Sequence, residues 1–181
     1  LSKTTLLNIL ANKIEPDEGT IRWGETITPT YFPKDNGSFF ETTDNLIDWL
    51  QKYDEDMDLQ TLRGYLGRML FSGDDALKSV NVLSGGEKAR AMFARMMLLE
   101  GNALIFDEPT DHLDLEAISS LNDGLIQFPE VIIMTSHDFE ILNTVPNRMI
   151  EITPKGHVDY CGNFEDFLNH ETFKEKVKAI Q

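Results

Sequence analysis

The run Asn102-Ala103-Leu104-Ile105-Phe106-Asp107-Glu108-Pro109 constrains the chain more than any other stretch. Residues 103–106 are short and wholly apolar, the form taken by a strand buried on both faces of a parallel sheet. The run stops at two adjacent acids followed by proline. Side chains alternate across a strand, so Asp107 and Glu108 cannot point the same way while the strand lasts. Ligands of open α/β sheets sit beyond the carboxyl ends of the strands. There the two acids can divide the work, one holding a metal and the other handling a water. Alternatively they are solvated acids at a strand end, and the run by itself leaves both readings open.

The opening Leu1-Ser2-Lys3-Thr4-Thr5-Leu6-Leu7 bears on that choice. Leu6, Leu7 and Leu10 recur at helical spacing, predicting a helix over 3–13 whose first turn carries Lys-Thr-Thr. A helix start offers unpaired N–H groups and a positive dipole end to an anion. Lys3 there can reach phosphates and Thr4 can ligate Mg²⁺, as at the end of the loop G-x-x-x-x-G-K-[ST]. Ser2 stands where that loop has its last glycine. The plainer alternative is an ordinary helix start with a solvated lysine.

A third signal is Leu83-Ser84-Gly85-Gly86-Glu87. Ser84 and Glu87 have capping-box spacing, which predicts a helix from Ser84 to about Glu100. The cap alone leaves the paired glycines unexplained, because glycine is costly inside a helix. Bare N–H groups there could receive an anion. A fourth signal follows residues 131–134, another all-apolar strand, which ends in Thr135-Ser136-His137-Asp138. His137 at the same sheet edge could reach a phosphate, or serve as a structural hydrogen-bonder.

Between these signals the pattern alternates. Residues 20–23 and 27–32 read as strands of a small antiparallel unit. Residues 42–53 and 59–71 read as two helices of a short insertion within about 42–83, joined by a solvated acidic linker over 54–58. Helices are expected over 115–128 and 139–145, a strand pair over 148–152 and 157–160, and a last helix from Asn163 to about Ile180. Strands alternating with helices place the chain in the α/β class, and 181 residues suffice for one domain, 1–181.

Composition narrows the partners. Thirty-one acids against 16 bases give a net charge of −15, which disfavours broad contact with nucleic acid or anionic membrane. No apolar run approaches the ~20 residues that span a bilayer. No signal-peptide pattern is present, and Cys161 is the only cysteine, which fits a reducing, cytoplasmic setting.

Taken in order, Lys3-Thr4-Thr5, Leu83-Ser84-Gly85-Gly86-Glu87, Asp107-Glu108-Pro109-Thr110 and Ser136-His137-Asp138 resemble the motifs of an ATP-binding cassette (ABC) nucleotide-binding domain. The resemblance covers nearly the whole chain. It implies a P-loop NTPase fold with a mainly parallel sheet flanked by helices, a small antiparallel β unit and a short helical subdomain. Within that superfamily the chain resembles the second cassette of an ABC-F protein. Glu108-Pro109-Thr110-Asp111-His112-Leu113-Asp114 is similar to the Glu-Pro-Thr-Asn-His-Leu-Asp of that class, Tyr31-Phe32-Pro33-Lys34-Asp35 to its Tyr-Phe-Pro-Gln-Asp, and Tyr160-Cys161-Gly162-Asn163-Phe164 to its Tyr-x-Gly-Asn-Tyr.

The resemblance implies roles by matched position. Lys3 holds the β- and γ-phosphates, Thr4 ligates Mg²⁺ and Thr5 contacts the α-phosphate. Asp107 holds Mg²⁺, Glu108 polarises the attacking water and His137 senses the γ-phosphate. Ser84, Gly85, Gly86 and Glu87 meet an ATP held by the other cassette of the same chain, and Asp111–Asp114 form the loop that communicates across that pair. ATP and Mg²⁺ are the implied cofactors, and ATP hydrolysis the implied activity. A ribosome, met through parts outside this segment, is the implied partner. The resemblance also implies that the segment opens inside the phosphate loop and is inactive alone. Three positions depart from the pattern: Ser2 for glycine, Lys34 for a Mg²⁺-ligating glutamine, and Asp111 for asparagine. A protonated lysine cannot ligate a metal, but it can offer charge to a phosphate. The ATPase subunit of a membrane transporter is the alternative reading, disfavoured by the short insertion. A DNA-repair ATPase lacks support, since zinc-ligand cysteines and long heptads are missing from the sequence.

Overall fold

Asn102 ties the approach to the first strand onto the start of the second. Its side chain accepts from the Thr28 amide at 2.7 Å and donates to the Thr26 carbonyl at 2.8 Å. This latches the segment before β1 (Pro29–Phe32) to the start of β2 (Ala103–Asp107). The two strands run parallel, and β3 (Val131–Thr135) pairs parallel on the other side of β2. The order is therefore β1-β2-β3, with all five residues of β2 buried. The computed structural model describes residues 3–111, 113–153 and 155–170.

The expected antiparallel unit over 20–32 is corrected. Residues 20–23 form no strand, and 29–32 join the parallel sheet. A strand's own residues do not choose its partner; here β1 lies parallel to β2, with Asn102 latching the segment before it. The antiparallel pair is β4 (Arg148–Thr153) with β5 (Gly156–Cys161), clasped by Arg148 on Asp159.

Seven helices are described. α1 (Lys3–Leu10) leads toward β2, and α4 (Gly85–Leu98) packs between the sheet and α5 (Leu115–Gln127). α2 (Leu46–Gln51) begins at the Asn45 cap, not at the expected Thr42 or Thr43: Asn45 accepts from the Asp48 amide, while the Thr42 hydroxyl is turned onto Asp44. α3 (Leu59–Arg68) is capped by Asp58, so one acid of the 54–58 linker is structural. α3 stops short of the expected Phe71, and Leu70 takes a left-handed φ of 60°. α6 (Phe139–Thr144) and α7 (Phe164–Asn169) complete the set. Ser2, His112 and the expected course of the last helix over 171–180 lie outside the described residues.

One apolar core joins these pieces. Phe106 of β2 touches Phe32 of β1 and meets Phe93 of α4 edge-on, with ring centres 5.3 and 5.7 Å apart. Trp49 of α2 stacks on Phe40 and donates to the Phe39 carbonyl. Arg95 of α4 lays its guanidinium 4.2 Å from the Tyr53 ring centre, fastening the α2 region to α4. The carboxyl ends of β1 and β2 are thereby packed against α4.

Candidate functional site

Glu108 is the first residue beyond β2, and its backbone turns left-handed there, at φ 49°. A non-glycine residue seldom adopts this region. The turn swings Glu108 away from Asp107, so the two acids find different neighbours. Both are buried, at 5% and 1% exposure, in a place where an unpaired charge would be costly.

Lys3 reaches Glu108 from α1, donating to Oε1 at 2.9 Å. His137, two residues past β3, brings Nε2 to 3.2 Å from both Lys3 Nζ and Glu108 Oε1. An ammonium only donates, so Nε2 either accepts from Lys3 or donates to Glu108, but does not do both. His137 is largely exposed. Glu108 Oε2 is buried with no hydrogen-bond partner among the described residues.

Asp107 faces the sheet. Thr135 donates to its Oδ1 at 3.0 Å and Tyr31 donates to its Oδ2 at 3.4 Å. Burial, and then the charge and hydrogen bond of Asp107, push the Tyr31 phenol up to about 12. Lys34, just past β1, pairs with Asp111 at 2.7 Å. Asp111 holds the Lys34 ammonium above its ordinary value by hydrogen bond and charge, with Glu108 and Asp107 adding to the pull. Lys34 therefore stays charged.

The Ser84 group forms its own feature. Ser84 caps α4, with the Glu87 amide donating to Oγ at 3.2 Å and the Ser84 amide donating to Glu87 Oε2 at 2.8 Å. Lys78 reaches the other Glu87 oxygen at 3.1 Å. Gly86 is required by packing: a Cβ there would lie 2.4 Å from the Ala117 Cβ of α5. Ser84 and Gly85 remain exposed beside a shallow cleft shared with Arg90, Asp114 and Glu116. Among the described residues no hydrogen bond or ion pair ties this group to Lys3, Glu108 or His137. Thr4 is half-buried and Thr5 exposed in the first turn of α1.

A hard cation suits this edge. Mg²⁺ takes oxygen ligands and usually binds one or two carboxylates together with phosphate oxygens, not an all-protein cage. The buried Asp107 and the unpartnered Glu108 oxygen are oxygen donors of that kind. No cluster of three or more acidic, histidine or cysteine ligands occurs among the described residues. Two lysines stand at the same edge, Lys3 paired with Glu108 and Lys34 with Asp111.

A family model described as ABC transporter matches residues 2–111. The chain belongs to the ABC transporter family. This ABC cassette is 50% identical over 182 residues to the Bacillus subtilis (strain 168) "Uncharacterized ABC transporter ATP-binding protein YkpA", covering 99% of the chain and 34% of that relative. It is 31% identical to "ABC transporter F family member 2" of Arabidopsis thaliana, covering 92% of the chain and 25% of the relative. It is also 31% identical to "Energy-dependent translational throttle protein EttA" of Escherichia coli (strain K12), covering 97% and 32%. The chain thus spans no more than about a third of the length of these relatives. Among solved structures, "RNase-L Inhibitor" superposes with a TM-score of 0.69 at 24% identity, covering 98% of the chain and 35% of that protein, which shows the shared fold. The fold is that of the P-loop ABC NTPases: a mainly parallel sheet with helices and a small antiparallel sheet. The family match and the relative named an ABC transporter ATP-binding protein mark the chain as an ABC ATP-binding cassette. Among the described residues no helix is long and apolar enough to cross a membrane.

Three features escaped the sequence reading. Thr135 closes on both acids, Tyr31 lies against Asp107, and Lys34 pairs with Asp111. The first two needed the strand register. The third was signalled by the sequence as two separate departures of opposite charge.

Proposed function

We propose that this chain is the second, C-terminal cassette of an ABC-F protein, which binds and hydrolyses MgATP in tandem with another cassette of the same polypeptide. The observation that carries the ATPase reading is the convergence of Lys3, Glu108 and His137 at one oxygen, Glu108 Oε1. Lys3 binds the terminal phosphates. Asp107 and Thr4 hold Mg²⁺, which neutralises phosphate charge when bound, and Thr5 contacts the α-phosphate. Glu108 orients the attacking water and His137 reads the γ-phosphate. Catalysis of this kind is positioning plus charge neutralisation. Lys34 adds charge near the γ-phosphate through its position beside Asp111. Ser84, Gly85, Gly86 and Glu87 face a nucleotide held by the opposite cassette. The helical insertion of about 42–83 is a subdomain of this one domain, 1–181. The segment by itself lacks turnover, because its partner cassette supplies half of the closed site.

Two relatives bear on the biology. One carries the F-family name, and another is named an energy-dependent translational throttle. Together with the motifs around Pro33 and Asp111 they support a cytoplasmic, ribosome-associated factor whose ATP-driven closure gates translation. With a net charge of −15 in this segment, contacts to RNA fall to other parts of the protein. Co-sedimentation of the full-length protein with ribosomes tests the reading. Retention with ATP, strengthened when hydrolysis is blocked, is expected. Co-purification with a membrane permease and no ribosome retention would favour a transporter subunit instead.

A further inference from the structure

Thr135 occupies a position that neither its strand nor the motif after it explains. It is the last residue of β3 and pairs in register with Asp107 across the parallel ladder. Residues paired this way present their side chains on the same face, so the hydroxyl and the carboxylate meet. Thr135 Oγ1 lies 3.0 Å from Asp107 Oδ1. The same oxygen lies 3.2 Å from the backbone nitrogen of Glu108, which also donates to the Thr135 carbonyl at 3.1 Å.

Donor counting fixes the direction of these bonds. A threonine hydroxyl has one hydrogen and two lone pairs. The Glu108 amide can only donate, so Oγ1 must accept from it. The single hydroxyl hydrogen is left for Asp107, whose carboxylate can only accept. One side chain thereby holds the carboxylate of one acid and the left-handed backbone of the next. Removing the hydroxyl takes the shortest hydrogen bond from Asp107 and one of two acceptors from the Glu108 amide.

We propose that Thr135 is a positioning residue for the metal–nucleotide site, using its one hydroxyl to aim Asp107 and to hold the turn that presents Glu108. The proposal rests on the ATPase reading above. It touches neither nucleotide nor metal; its effect passes through the two acids. Residues that orient metal-binding carboxylates are worth about 10–100-fold in metal affinity. A threonine that merely finishes a strand would affect stability alone.

The test compares three variants of the full-length protein. Thr135→Ser and Thr135→Ala both lose the methyl group and differ in the hydroxyl, while Thr135→Val keeps the shape without it. Mn²⁺ binding in the presence of ATP, followed by electron paramagnetic resonance, reads the site without turnover; the Mg²⁺ concentration for half-maximal hydrolysis reads it with turnover. Ala and Val are expected to raise the Mn²⁺ dissociation constant and the half-maximal Mg²⁺ concentration by about tenfold or more, with Ser restoring the parent values. Equal values for Ala and Ser overturn the proposal, whatever Val does. Should Val fail to fold, the Ser and Ala pair still decides. A parent protein that binds no Mn²⁺ with ATP overturns the cassette reading itself and takes the Thr135 role with it.

Discussion

Lys34 and Asp111 are two departures from the family pattern, and their side chains form one ion pair, Nζ to Oδ2 at 2.7 Å. The pair bridges the loop after β1 and the loop after Glu108. Neutral amides at both positions would bridge the same loops without net charge, so the two exchanges compensate each other.

A double-mutant cycle examines that compensation. Both partners are substantially exposed, at 54% and 34%, so coupling in stability should be small. In ATP turnover by the full-length protein, Lys34→Gln and Asp111→Asn should each be slower than the double variant. Strictly additive losses would show that the two loops do not communicate through this pair.

Gly86 should tolerate no side chain. The 2.4 Å approach to Ala117 leaves no room for a methyl group between α4 and α5. Gly86→Ala is expected to cost about 1–3 kcal/mol by overpacking. Ala117→Gly in the same chain should recover part of that loss. Denaturant midpoints of the single and double variants measure both effects.

The α4 cap carries a pH dependence. Burial alone would raise the Glu87 carboxyl, but hydrogen bonds from Ser84 and Lys78, together with the Lys78 charge, outweigh it and hold the group below its ordinary value. A carboxyl lowered in the fold stabilises above its unfolded value and loses that contribution as pH falls through the folded one. Glu87→Gln keeps the capping hydrogen bond and removes the charge. It should therefore cost no more than about 1 kcal/mol near neutral pH, with the gap closing below the ordinary glutamate range. A gap that persists in acid would contradict this account of the cap.

The parts legible in the sequence are those encoded locally. The Ser84–Glu87 box needs only a spacing of three, and its helix ends within two residues of expectation. The apolar strands ending at Asp107 and Thr135 announce themselves by composition. The missed contacts depend on register. Nothing near residue 31 or 135 reveals that Tyr31 and Thr135 both close on Asp107 until β1, β2 and β3 are aligned side by side. The misplaced antiparallel unit has the same origin: residues 27–32 read as a strand, but the Asn102 contacts that tie the approach to that strand onto β2 are distant in sequence. The paired glycines stand out for their cost in a helix, but the reason for Gly86, Ala117, lies on another helix.

Glu108→Gln in the full-length protein tests the central claim most directly. The amide keeps the shape beside Lys3 and His137 but loses the negative charge assigned to orienting water. MgATP binding should stay close to that of the parent, while turnover at saturating MgATP falls by about a hundredfold or more, as expected when a general base is removed. Turnover near the parental rate would contradict the assignment of Glu108 as the catalytic carboxylate.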